Sequence, residues 1–224
     1  MRVFVCAFSL SCVVNCFHAD HKNLTDPTTV SGALYALATT STPLYSFHDD
    51  FGSGNLSNWN LLTCDAAITF PAGQVQFAGG TGCYYLVNIP STYTVNNFQY
   101  TVRMQVNAAG QGQARVCQQN SSAASIQMQL DATPTPSFIV TRFNGDSSTF
   151  VTKTGGTAVT NGSYFYWRTN YSNGVENGYL STDGVNYTLN WTSNLTLVGP
   201  LTIFRIQSTG GTVLFDDVVF QQLQ

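Results

Sequence analysis

The chain has 224 residues, 43% of them hydrophobic and only 8% charged, with Lys+Arg 8 against Asp+Glu 11 for a net charge of −3. Such a composition supports a buried core and excludes disorder, and the lack of any basic block excludes a nucleic-acid interface. No apolar run of about 18 residues lies beyond the N-terminus, so no membrane span is expected.

Met1-Arg2 followed by VFVCAFSLSCVVNCF and Phe17-His18-Ala19 has the n-region, h-region and small cleavage residue of a secretory signal peptide over residues 1–19. A membrane anchor fits less well, because the stretch is short and interrupted by Ser11 and Asn15. Cleavage after Ala19, or after Cys16, removes Cys6, Cys12 and Cys16 and sends the remainder to an oxidising compartment. Cys64, Cys83 and Cys117 remain, an odd number, which implies one bridge and one spare thiol. Cys64–Cys83 closes the shorter loop and Cys83–Cys117 would staple neighbouring strands; the sequence leaves both open. The lack of a C-x-x-C pair argues against structural zinc.

Residues 20–46 contain Pro27, Pro43, nine Ser or Thr and one uncharged patch, Val30–Ala38. This is either a flexible leader or an arm that adds a strand to a neighbouring subunit, with Tyr35 and Leu37 as anchors.

From Phe47 onward the pattern is β, and no linker divides residues 47–224. Phe98, Tyr100, Val102, Met104 and Val106 alternate with polar residues, as do Ile126, Met128 and Leu130. Asn144-Gly145-Asp146 and Thr182-Asp183-Gly184 each separate two alternating runs, a hairpin signal. Strands recurring this often with Gly, Asn or Pro between them predict an all-β sandwich or barrel.

Asn-x-Ser/Thr acceptors for glycan occur at Asn23, Asn55, Asn120, Asn161, Asn170, Asn186, Asn190 and Asn194. Chance would give about four, so their number agrees with secretion. Strict alternation from Asn186 to Thr196 places Asn186, Asn190 and Asn194 on one polar face, with Tyr187, Leu189, Trp191 and Leu195 on the other. An ordinary Thr/Asn-rich solvent face reads the same way.

Three stretches carry a resemblance. Asp49-Asp50-Phe51 with Trp59 opens the domain; Trp167-Arg168 leads into Tyr179-Leu-Ser-Thr-Asp183-Gly184-Val-Asn-Tyr187; and Phe215-Asp216-Asp217-Val218-Val219-Phe220 closes it. Together, over residues 47–220, they resemble the concanavalin A-like lectin/glucanase superfamily, in particular its laminin G-like modules. The resemblance implies a two-sheet antiparallel jelly roll whose opening and closing strands lie close together in one sheet.

Glycosidases of that superfamily carry a Glu-x-Asp-x-x-Glu strand, and nothing here matches it. Paired carboxylates cannot come from the single Glu176, and His18, His21 and His48 fall at or before the first strand, so no enzyme is expected. Asp49, Asp50, Asp216 and Asp217 sit on strands that could meet, giving oxygen ligands for a structural Ca²⁺, although the favoured reading is that one Asp of each pair caps a turn or faces water. Sugar binding would need aromatic faces beside amides. Trp167, Tyr171, Asn173 and Glu176 are the candidates here, although each of the aromatics Trp59, Tyr84, Tyr85, Trp167, Tyr171 and Trp191 reads more readily as core or cross-strand packing. The expectation is thus a secreted, glycosylated, non-catalytic lectin-like module recognising glycans or a surface ligand. The alternative is a self-assembling extracellular subunit of a fibre or coat, a homo-oligomer joined by the 20–46 arm.

Overall fold

The structure, a computed structural model, describes residues 43–107, 110–117, 125–131, 137–144, 149–155, 162–194 and 199–224; for 114–117, 125–131, 137–144, 149–155 and 193 the backbone is described. The expected signal peptide, Tyr35 and Leu37 of the arm, and the acceptors Asn23, Asn120 and Asn161 lie outside these residues. Leu44–Gln224 form one compact unit. Its strands, in chain order, are β1 (Ser46–Asp49), β2 (Asn60–Cys64), β3 (Ala67–Thr69), β4 (Val75–Ala78), β5 (Cys83–Asn88), β6 (Phe98–Asn107), β7 (Gln111–Cys117), β8 (Ser125–Asp131), β9 (Ser137–Asn144), β10 (Thr149–Gly155), β11 (Tyr164–Ser172), β12 (Val175–Ser181), β13 (Thr188–Asn194), β14 (Ile203–Thr209) and β15 (Thr212–Gln222). A 3-10 turn at Pro71–Gly73 is the helical element among the described residues.

Two sheets result. Sheet A runs β13-β12-β11-β6-β15-β4-β3, and sheet B runs β10-β9-β8-β7-β14-β5-β2. β15 is the organising strand: β6 lines one side of it, while the other side is shared by β4 and then β1. Phe47 pairs with Phe220 in register, so the opening and closing strands do lie together. The changeover from β4 to β1 coincides with a bulge at Asp216/Val219, where Asp217 has a φ of 45°. The sandwich starts at Leu44, slightly ahead of the expected Phe47, because the Tyr45 N–H donates to Gln222 Oε1 and the Gln222 N–H donates to the Tyr45 carbonyl.

Alternation sets burial. In β11 every second residue (Phe165, Trp167, Thr169, Tyr171) faces inward, and β6 sends Phe98, Tyr100, Val102, Met104 and Val106 to the same side. Aromatic residues from both sheets meet between them: Phe204 of β14 stacks on Phe220 of β15 at 4.8 Å, with Phe47 and Trp59 edge-on around Phe204. Each such side chain contributes roughly 1.5–3 kcal/mol on burial. The opening motif has a clear role. Asp49 Oδ1 accepts the Phe51 N–H and Oδ2 accepts the Trp59 indole N–H at 2.9 Å, so one buried carboxylate pins the first loop to the core.

Cys64 and Cys83 form a disulfide between register partners on β2 and β5. The Cys83–Cys117 alternative would not have stapled neighbours, since β14 separates β5 from β7.

Candidate functional site

The expected sugar-binding residues divide by strand parity. Trp167 and Glu176 are 0% exposed and Tyr171 is 5% exposed, with the Tyr171 ring stacked on Phe98 at 5.7 Å. They occupy the inward positions of β11 and β12 and present no face to a ligand. Asn173 is exposed, but it serves the tight β11–β12 turn with a φ of 52°, its N–H held by Asn97 Oδ1. The neighbouring positions were missed. Tyr164, Tyr166, Arg168 and Asn170 alternate with the buried set and look out of sheet A.

Two polar assemblies lie on that outward face. In the first, Arg103 of β6 donates to Asp216 Oδ2 at 2.7 Å, Gln74 Nε2 donates to the same oxygen, and Tyr164 O–H donates to Gln74 Oε1. The Arg103 guanidinium lies 4.0 Å from the Tyr164 ring centroid and 5.5 Å from that of Tyr166. Burial, followed by the charge of Asp217, raises the Asp216 pKa, against the pull of Arg103. The second assembly centres on Arg168, whose guanidinium sits 3.6 Å from the Tyr187 ring centroid. Thr101 and Tyr179 are the register neighbours of Arg168 on either side. Arg168 Nε, Thr101 Oγ1 and Asn170 Oδ1 are buried without hydrogen-bond partners among the described residues.

The loop that brings Tyr187 over this face is built on Asp183. Its Oδ1 accepts the Ser181 hydroxyl and the Val185 and Asn186 N–H groups, and its Oδ2 accepts Asn186 Nδ2. Those donors hold the Asp183 carboxyl well below the usual carboxylate range, the Asn186 N–H most of all. Burial pushes the Tyr187 phenol up, with Arg168 opposing.

The glycan acceptors depart from the expected geometry. Asn186 belongs to the Asp183 loop, not to β13, and only Asn190 and Asn194 lie on the strand. A bulge opposite Gly178/Tyr179 then breaks the alternation: Trp191 pairs with Gly178 and is buried, whereas Leu189 pairs with Tyr179 and is 50% exposed instead of facing the core. Asn55, Asn186 and Asn194 are exposed; Asn170 and Asn190 are half-buried.

The four carboxylates considered for Ca²⁺ are held by protein donors or stand apart. Asp49 binds Phe51 and Trp59, Asp50 caps the Gly52 N–H, and Asp216 binds Arg103, Gln74 and the Asp217 N–H. Among the described residues no three His, Cys, Asp or Glu gather for a metal ion. No helix among them is long and apolar enough to cross a membrane.

No family model matches the chain, and no curated protein matches it by sequence. Solved structures do match in shape. A carbohydrate-binding module, CBM66 from Bacillus subtilis, aligns with a TM-score of 0.56 at 13% identity, over 73% of this chain and 95% of its own. The Crh5 transglycosylase in complex with NAG aligns at 0.61 and 12% identity, over 82% and 88%. The basic winged bean lectin with Tn-antigen aligns at 0.55 and 11% identity, over 80% and 98%. A binding module, an enzyme and a lectin thus share this backbone, and the architecture they have in common is the one built above from β1 to β15. The chain has the concanavalin A-like jelly-roll fold.

Proposed function

We propose that this protein is a secreted, non-catalytic module that binds glycans through the outward face of sheet A around Arg168 and Tyr187. The observation that carries the reading is Tyr187, which overhangs the outward face of sheet A with its ring centroid 3.6 Å from the Arg168 guanidinium, beside the half-buried Asn170. A sugar ring stacks on an aromatic face, and amide and guanidinium groups beside that face suit its hydroxyls. Arg168 beneath Tyr187 orients the ring in advance, which lowers the entropic cost of binding. Carbohydrate-binding modules and a lectin among the structural neighbours support the reading. The placement of carboxylates supports a non-catalytic role. Glu176 is inside the core, and Asp49 and Asp216 hold structural donors, so among the described residues no opposed acid and base flank an open surface.

Titration of neutral oligosaccharides into the full chain tests this. Tyr187→Ala should weaken the best ligand at least ten-fold while leaving the melting temperature nearly unchanged. Binding that is indifferent to Tyr187→Ala and Arg168→Gln removes the site. Glycan at Asn170 would cover the same face, so mass spectrometry should find Asn55, Asn186 or Asn194 occupied in preference.

A second reading, self-association, has one observation in its favour. β2 is an edge strand of sheet B and leaves Leu61 59% and Leu62 51% exposed, the kind of uncapped apolar edge that pairs with another chain. Light scattering of wild type beside a Leu61→Lys, Leu62→Lys variant decides it.

A further inference from the structure

Register lines up the outward positions of sheet A into rows that run across the strands. One row lies two residues from Arg168 toward the β11–β12 turn and is polar and uncharged throughout. Thr192 of β13 pairs with Asn177 of β12, and Asn177 with Asn170 of β11. Asn170 pairs with Gln99 of β6, Gln99 with Gln221 of β15, and Gln221 with Ser46 of β1. The residues next to them along each strand, among them Trp191, Glu176, Tyr171, Phe98 and Phe220, are buried, so the six side chains share the solvent side. Thr192, Gln221 and Ser46 are exposed, and Asn177, Asn170 and Gln99 are half-buried. The Thr192 hydroxyl donates to Asn177 Oδ1 at 2.8 Å, which fixes one end of the row. Asn170 Oδ1 is buried, so contact along the middle of the row falls to Gln99 and Gln221.

The rest of this face is occupied differently. Arg103 and Asp216, themselves register partners, close an ion pair with Gln74 and Tyr164 around it. The Asp183 loop packs on Tyr166, where a Cβ at Gly184 would lie 3.0 Å from the ring. The row beside the amides carries Tyr179 and Arg168, with the Tyr187 ring over the latter. An aromatic flank therefore runs along the uncharged track. Amides donate and accept, as sugar hydroxyls do. Six strands about 4.8 Å apart make a track of roughly 24 Å, and successive units of a linear β-linked glycan advance by about one strand spacing. Each strand is also turned about 20–25° from the last. Such a twisted track suits one chain and not the flat surface of a crystalline polymer.

The geometry points to the row from Thr192 to Ser46 as the binding track for a single, neutral, linear β-linked polysaccharide lying across the strands, about one sugar to a strand, with Gln99 and Gln221 as its hydrogen-bonding residues. This deepens the glycan-binding reading and rests on it: Tyr187 serves one sugar beside β11, and the row extends contact to the others.

The experiment titrates the full chain with cello-, xylo- and chito-oligosaccharides of two to six units by calorimetry. In one series, affinity should rise roughly two- to ten-fold for each added unit, the contribution of one net hydrogen bond, until the chain spans the sheet. Gln99→Ala combined with Gln221→Ala should lower hexasaccharide affinity at least about five-fold and leave disaccharide binding within about two-fold. Tyr187→Ala should weaken every length. Both glutamines reach solvent, so the double variant should melt with wild type; Gln221→Ala alone, at an exposed position, carries the test if it does not. Affinity that is the same from disaccharide to hexasaccharide, and still lost with Tyr187→Ala, overturns the track and leaves the Tyr187 reading standing. Length dependence that the glutamine variants remove and Tyr187→Ala does not touch upholds the track and overturns the Tyr187 site. Length dependence that survives the glutamine variants, or no binding in any series, overturns the track.

Discussion

The two outward faces of the sandwich each hold an arginine on a long strand, and they treat it differently. Arg103 on sheet A has a carboxylate at 2.7 Å, a glutamine sharing that carboxylate, and two tyrosine rings beside it. Arg205 on sheet B is more deeply buried, with the Tyr84 ring at 5.7 Å and no ion pair among the described residues. In a chain with so few charges, the ion pair ties sheet A together, whereas sheet B holds its arginine by burial. Arg168 stands between the two, half-buried and stacked on a ring.

Removing the cystine should have the largest effect on the comparison, because it constrains only the sheet B side. Replacing Cys64 and Cys83 together by serine removes a link across a sequence separation of 19 and should cost about 3 kcal/mol in urea denaturation. Hydrogen exchange should rise along β2 and β5 while the Arg103 strands stay protected. Uniform loosening of both sheets would show that the faces are not energetically separable.

Gly178→Ala comes next and probes sheet A from inside. A Cβ at residue 178 would lie 1.6 Å from Trp191 Cζ2, so the indole that fills the bulged β12–β13 pairing has to move. Overpacking of this kind costs about 1–3 kcal/mol. Because β13 leads out of the Asp183 loop, Tyr187 should lose its position too, and neutral-sugar affinity should fall with stability.

Arg103→Gln sharpens the contrast with Arg205 most directly. It leaves Asp216 partly buried without its cation and uncovers the Tyr164 ring, for a loss of about 1–2 kcal/mol after allowing for solvent at the pair. The same substitution at Arg205 breaks no ion pair among the described residues and should cost less. Equal losses at the two positions would erase the distinction drawn here.

Much of this was legible in the residues, and the failures have physical causes. The jelly roll showed because β6 and β11 alternate cleanly, and because Asp49, Trp59 and the closing Phe-Asp-Asp-Val lock β1 to β15. The ligand candidates failed on parity. Tyr164, Phe165, Tyr166 and Trp167 are aromatic on both faces, so pattern alone cannot tell which pair looks outward. The glycan-acceptor face failed at a bulge, where one extra residue turns Leu189 to solvent. Arg205 and Gln207 left no signal at all: β14 is buried on both faces, and Ile-Phe-Arg-Ile-Gln-Ser shows no alternation to mark them.

The smallest expected effect is that of acid, and it compares the corners that carry the two faces. Asp183 anchors the loop under Tyr187, and Asp65, next to Cys64, caps the Thr81 and Gly82 N–H groups beside the cystine on sheet B. Those donors lower the Asp65 pKa to about 2, the Gly82 N–H most of all, and Asp183 is shifted in the same direction. A carboxyl depressed in the folded state contributes stability that is complete above its unfolded pKa, about 3.9, and is lost as pH falls through the folded one. Both corners should therefore be intact from neutral pH to about pH 4 and loosen only below it. Burial keeps the Tyr187 phenol neutral beyond its ordinary range, so no ionisation of that ring intervenes on the alkaline side. Neutral-sugar binding at Tyr187 should thus be flat from pH 4 to pH 9. A midpoint near neutrality in any of these titrations would place a different group in control of the site.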